Sequence, residues 1–312
     1  MTFDNSPSES LSETQQSKTP NEDMSRYQPI TVDAKTKRKR FSGCGCLLVF
    51  PAIVALSLAV YFLAPSQTNL LILGIDRAPE GTALGRSDTI ILAGVQPSSA
   101  TVNILSIPRD LWVVIPERGE QRINTAHFFA EAEQVGSGPA AAIETIEHNF
   151  GLPIDYYMRL QLENFPLVID ALGGIDIVLD QPTTGLPAGP HHFSGEQALA
   201  FVRSREGTDD FFRMAQGQML LVALFKQVLR PSTWGYFPAF FDSLSLLIDT
   251  DLPAWGWPRF SVALLRSGPE GLNIQTLGRD MLTPFTTNQG AQVLLPNWEL
   301  ILPFAQEMFG TK

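Results

Sequence analysis

Three apolar runs, residues 69–75 (NLLILGI), 89–95 (TIILAGV) and 101–107 (TVNILSI), follow one another with turn-forming segments between them. Rich in Ile, Leu and Val, they read as β-strands. Strands this apolar want burial on both faces, so helices are expected to cover the sheet. Downstream the period lengthens: residues 139–150 put Ala140, Ile143, Ile146 and Phe150 on one face of a helix that Pro139 opens and Gly151 stops. Residues 155–162 alternate as a strand, 164–172 form a short helix with Pro166 in its first turn and Gly173 and Gly174 after it, and 175–179 form a further strand. Residues 181–192 read as a Pro/Gly-rich loop. Ser194 and Gln197 then have the spacing of a capping box for a helix ending near Arg203. After a break at 206–209, residues 210–230 repeat apolar positions at helical spacing: Phe211, Met214, Met219, Val222, Phe225 and Leu229. Beyond Pro231 aromatics and prolines blur the pattern, leaving 272–277 as a strand and 298–309 as a terminal helix. Alternating strands and helices indicate an α/β layered domain, and one domain is expected after the N-terminal segments.

Those N-terminal segments differ from the rest. Residues 44–64 carry no charge, and a helix of that length reaches about 30 Å, the thickness of a bilayer core. Lys35, Lys37, Arg38, Lys39 and Arg40 precede it and no basic residue follows soon after, which places the N-terminus in the cytoplasm and the main domain outside. A cleaved signal peptide is the rival; the long polar preamble and the lack of a small-x-small site near residues 61–64 favour a retained anchor. Residues 1–43, polar and poor in apolar positions, read as a disordered cytoplasmic tail, 44–64 as the transmembrane helix, and 66–312 as the extracytoplasmic domain with its core at 69–230.

With 312 residues and 44% apolar content, a real core is available. The only cysteines, Cys44 and Cys46, sit at the membrane border and read as apolar residues, so the outer domain has no disulfide. A net charge of −10 argues against a nucleic-acid surface, and any anion site has to be a local cluster. Beyond Pro65 the basic residues are nearly all Arg, the side chain that contacts phosphate bidentately. His191 and His192, adjacent and without carboxylate spacing, make a poor metal site. Ser106 lacks an elbow glycine pattern and a His/Asp set, and is rejected as a nucleophile.

Charges collect at the strand ends. Asp76 and Arg77 follow the first strand, Arg86 and Asp88 precede the second, and Arg109 and Asp110 follow the third. In an antiparallel meander these ends share one sheet edge; the alternative is that they simply solvate turns. Residues 117–129, carrying Arg122, Asn124 and His127, are expected as a loop facing the same cleft. Arg203 and Arg205 leave one helix just before the next begins, and Arg213 lies in that helix's first turn, where unpaired N–H groups and the helix dipole favour an anion. Salt bridges with Glu206, Asp209 and Asp210 are the alternative.

GIDR at 74–77, RSDT at 86–89, SIPRD at 106–110, RINTA at 122–126, DALGGID at 170–176 and GEQALAFVRSR followed by DFFR together resemble the LytR-CpsA-Psr family over roughly residues 69–229. The resemblance implies a three-layer α-β-α domain with a central mixed sheet, preceded by one transmembrane helix. It implies an enzyme that transfers a polyprenyl-pyrophosphate-linked glycopolymer to a peptidoglycan hydroxyl and releases polyprenyl phosphate. Asp76 and Asp88 would hold Mg²⁺, or another divalent cation such as Mn²⁺; Arg86, Arg109, Arg203, Arg205 and Arg213 would contact the pyrophosphate. Asp76, Asp88 and Arg109 are the expected catalytic set. The chain departs from the family where Gln216, Gly217 and Gln218 replace an Arg-Gln-Gln run, and where Leu84 replaces a frequent arginine. The alternative is a noncatalytic polyprenyl-lipid-binding or envelope scaffold protein.

Overall fold

The computed structural model describes residues 44–63, 67–76, 78–79, 82–96, 101–183, 185–204 and 210–310. The expected tail at 1–43, Arg77 and the candidate Arg205 lie outside the described residues. Two compact units are distinguished, residues 1–50 and 51–312. The first contributes the beginning of helix α1 (Cys44–Leu63), a helix of 20 residues without a charged side chain. Among the described residues no helix is long and apolar enough to cross a membrane.

The second unit continues α1 from Pro51 and then forms the expected meander, β1 (Thr68–Ile75), β2 (Ser87–Val95) and β3 (Val102–Ile107), paired antiparallel in order. A small hairpin follows, β4 (Trp112–Ile115) and β5 (Gly119–Arg122), and then helices α2 (Thr125–Glu133) and α3 (Gly138–Phe150). Residues 117–129 are therefore not a loop: they close a hairpin and begin a helix. Gly151 ends α3 in the left-handed conformation, φ 63°, which glycine adopts without steric cost.

Next come β6 (Tyr156–Gln161), α4 (Phe165–Ala171), β7 (Ile175–Leu179), β8 (Gly189–Phe193) and α5 (Gly195–Arg203), then α6 (Asp210–Leu229), α7 (Phe237–Leu247) and β9 (Ile248–Thr250). The expected loop at 181–192 thus ends in a strand, β8, that pairs with β7. The capping box is present in full: Ser194 accepts from the Gln197 N–H, and Gln197 accepts in return. The chain closes with α8 (Trp257–Ser267), β10 (Leu272–Thr276), the hairpin β11 (Leu282–Thr286) and β12 (Gln292–Pro296), and α9 (Trp298–Phe309).

Among the described residues the main sheet has six strands in the order β10-β3-β2-β1-β6-β9. Because β6 runs parallel to β1 and β10 parallel to β3, the sheet is mixed. Helices cover both faces, as the doubly apolar strands require. On one face Leu71, Leu73, Leu92 and Leu105 pack with Ile146, Phe150 and Ile301 from α3 and α9. On the other, Ile91 and Ile104 meet Leu221 and Leu264 from α6 and α8, and Leu160 meets Val168 and Leu244 from α4 and α7.

Candidate active site

The topology sets the end of β1, the start of β2 and the end of β3 at one sheet edge, and the end of β6 joins them because β6 is parallel to β1. Pairing between β1 and β2 shifts at this edge: Gly74 opposes Thr89 and Ile75 opposes Ser87, so Asp88 is the extra residue of a bulge. A bulge re-aims its side chain out of the ladder. Gly74 is required there by space, because a Cβ would stand 2.8 Å from the Thr89 Cβ.

Each carboxylate at the edge meets an arginine. Arg109 Nη1 lies 3.1 Å from Asp88 Oδ1, and the Asn124 amide donates to the same oxygen at 3.4 Å. Asp110 is shared between Arg122, at 3.1 Å, and Arg109, at 3.7 Å. From across the sheet, Arg203 at the end of α5 donates through Nε to Asp76 Oδ1 at 3.0 Å, adds a second contact through Nη2, and passes 3.7 Å from Glu163. Arg86 is exposed at the lip, and Arg213 is half-buried in the first turn of α6. The edge thus unites Asp76, Asp88, Arg109 and Arg203; Arg203 reaches it as the partner of Asp76 instead of standing with Arg213 at the N-terminus of α6.

The donor chemistry suits a hard cation. Asp76 and Asp88 offer carboxylate oxygens, and the buried Asn124 Oδ1 has no hydrogen-bond partner although its own amide binds Asp88. A buried orphan oxygen beside a carboxylate can take a water or a hydrated cation as its partner. Mg²⁺ is usually held by one or two carboxylates, water and substrate phosphate, not by a protein cage. No group of three or more His, Cys, Asp or Glu side chains suited to a metal occurs among the described residues.

Beneath this edge lies a buried polar set whose role the sequence does not reveal. His127, fully buried on α2, donates through Nδ1 to the Gly85 carbonyl at 3.0 Å and so holds the segment leading to Arg86 and Asp88. Its Nε2 faces Arg159 Nη1 at 3.4 Å. Arg159, inside β6, also binds Glu131 at 3.1 Å and Asp249 at 2.5 Å. Glu131 accepts from the N–H groups of Gly136 and Gly138, both at 2.9 Å. Burial pushes the His127 pKa below its usual 6.5, with the Arg159 charge adding to this against the pull of the Gly85 carbonyl. For Glu131 burial acts upward, but the two N–H groups and Arg159 outweigh it and leave the carboxyl below its usual range. Within the chain these residues look like strand and helix surface positions.

Gln216, read from the sequence as a lost cation, is fully buried, and both its amide atoms lack a partner. An unsatisfied buried amide is destabilising, so Gln216→Met is expected to raise the unfolding free energy by about 1–3 kcal/mol, read by urea denaturation. A loss of stability would mean that the amide has a partner.

Residues 18–297 match the LytR_cpsA_psr family. A protein of Oceanobacillus iheyensis named polyisoprenyl-teichoic acid–peptidoglycan teichoic acid transferase TagU is 36% identical over 190 residues, 59% of this chain and 58% of that protein. A protein of the same name from Halalkalibacterium halodurans is 31% identical over 200 residues, 61% of this chain and 62% of that one. The chain thus spans about three fifths of the length of these curated relatives. Among solved structures, Bacillus subtilis TagV superimposes with a TM-score of 0.63 at 23% identity, covering 80% of this chain and 99% of the other. A structure described as TagT bound to LI-WTA gives 0.60 at 20% identity, covering 78% and 91%. At these identities the likeness is one of fold.

Proposed function

The chain belongs to the LytR-CpsA-Psr family, and from that premise we propose that it is a membrane-anchored phosphotransferase moving a polyprenyl-pyrophosphate-linked glycopolymer onto peptidoglycan. The bond formed joins the polymer phosphate to a peptidoglycan hydroxyl, the pyrophosphate bond breaks, and polyprenyl phosphate leaves. The observation that carries this reading is the meeting of Asp76, Asp88, Arg109 and Arg203 at one sheet edge. The curated relatives are named as transferases of teichoic acid to peptidoglycan, which supports a wall polymer as cargo.

In this reading Arg109 and Arg203 exchange carboxylate for pyrophosphate oxygens when the substrate arrives, with Arg86, Arg205 and Arg213 adding positive charge. Asp76 and Asp88, with Asn124 beside them, would hold Mg²⁺ or Mn²⁺, which would supply charge neutralisation on the leaving phosphate. Residues 44–64 anchor the chain with its N-terminus in the cytoplasm and the main domain outside.

Protein extracted from membranes is expected to carry polyprenyl phosphate or pyrophosphate visible by mass spectrometry, and to release polyprenyl phosphate when given lipid-linked polymer, peptidoglycan and Mg²⁺. Folded protein that repeatedly does neither would sink the proposal. Noncatalytic lipid binding is the second reading, favoured by Gln216 at a position where the family has arginine. Its signature is retained lipid without release.

A further inference from the structure

The end of the domain opposite the charged edge carries a group of aromatic side chains that the reaction does not use. A 3-10 segment, Pro231–Tyr236, precedes α7 and exposes Trp234 at 59% and Tyr236 at 53%; Phe241 on α7 is 59% exposed. The other end of α7 is tied to the site edge, because the Asn164 amide donates to the Leu246 carbonyl at 2.7 Å. Phe237, where α7 begins, is nine residues before Leu246 and so about 14 Å from that tie. After β9 the chain returns toward the start of β6, where the Asp251 carboxylate accepts from the Tyr157 N–H at 2.7 Å, and Trp255 follows, 63% exposed. Tyr61, in the last turn of α1, meets it there: its hydroxyl donates to the Trp255 carbonyl, and the rings stand edge to face with centroids 6.5 Å apart.

We propose that this aromatic end rests on the outer surface of the bilayer, with Trp234, Tyr236, Phe241 and Trp255 at headgroup level. Two observations choose this partner. Tyr61 ties the group to the apolar helix, so the surface is continuous with the anchor; to that extent the proposal rests on the anchor reading. The side chains are also the type that membrane interfaces favour, with an apolar body and, in Trp and Tyr, a polar tip. Residues 231–258 contain no Lys or Arg and three aspartates, Asp242, Asp249 and Asp251, so the attraction is apolar and gains nothing from anionic lipid. The eight residues of β1 span about 26 Å between this end of the domain and the charged edge. A polyprenyl tail serving that edge then runs along the domain over this span.

The test uses the full chain in nanodiscs of phosphatidylglycerol and phosphatidylethanolamine, with lipids brominated near the glycerol end of their acyl chains. Tryptophan fluorescence is expected to be quenched, no less at high salt than at low, and a Trp234→Phe/Trp255→Phe variant is expected to lose most of that quenching while keeping its thermal stability. Chain that enters nanodiscs but shows no quenching, or the same quenching in the variant, overturns the docking and leaves the anchor standing. Protection of Trp234 that rises with protein concentration instead of lipid would assign the face to a second copy and also overturn it. Failure to co-elute with nanodiscs at all would remove the anchor reading and this proposal together.

Discussion

Asp76→Ala and Asp88→Ala are each expected to remove Mg²⁺-dependent release of polyprenyl phosphate while the domain stays folded. A cation stabilising charge on the leaving phosphate contributes several kcal/mol, so the loss should be on the order of 1,000-fold. Both carboxylates act through the same ion, so the double variant should be little worse than either single one. The costs to stability differ because the ion pairs differ. Asp76 is the more enclosed, with 14% of its side chain exposed, and its loss leaves Arg203 with Glu163 at 3.7 Å as a substitute partner. Asp88 is 32% exposed, and its pair with Arg109 is discounted for solvent screening to about 1 kcal/mol or less. Arg109→Ala should weaken binding of a pyrophosphate lipid even without metal, because a guanidinium contacts phosphate directly whereas a carboxylate needs a cation between. Thermal stability, Mg²⁺ dependence and turnover, measured on the same preparations, decide the matter: stable aspartate variants that keep metal-dependent turnover would reduce these residues to strand-end salt bridges.

The largest losses of stability are expected at the buried set under the site. Arg159→Met should cost about 3–5 kcal/mol, because it leaves the buried Glu131 carboxylate without a counter-charge; Glu131→Gln should cost less, because Arg159 keeps Asp249 at 2.5 Å. Changing both together should cost less than the sum, since the buried Glu131 charge is then not left behind. Strict additivity in urea unfolding would show that the two do not act as a pair. The pH dependence follows from the same contacts. Glu131 has a folded pKa below its ordinary 4.5, so its contribution is full above that value and is lost as pH falls through the folded pKa. His127 is likewise lowered from 6.5, so the unfolded chain takes up a proton first, and stability declines as pH falls below 6.5. The two effects act in the same direction. His127→Asn, which keeps a donor for the Gly85 carbonyl, should flatten the part of the profile nearest 6.5. Activity should fall along with stability, because His127 holds the segment that carries Arg86 and Asp88.

Local pattern determined a good deal of this protein by itself. Apolar alternation and turn residues place β1, β2 and β3 within a residue or two of their observed bounds, and their antiparallel order put the charged ends at one edge. Pro139 and Gly151 bound α3, and Ser194 with Gln197 opens α5, because capping is decided within a turn of helix. Other features needed the assembled chain. Strand β9 has three residues, too few for a periodic signal, and it is a strand because β6 offers an open edge to pair with. Strand β8 forms inside a Pro/Gly-rich stretch for the same reason, with β7 as its partner. The pairing of Arg203 with Asp76 joins residues 127 apart, and that of Arg159 with Asp249 joins residues 90 apart. A charged side chain at a strand or helix end shows its type but not its partner. The partner is chosen by which elements the core brings to the same place, and burial there, absent from any local window, sets both the pKa of His127 and the isolation of Gln216.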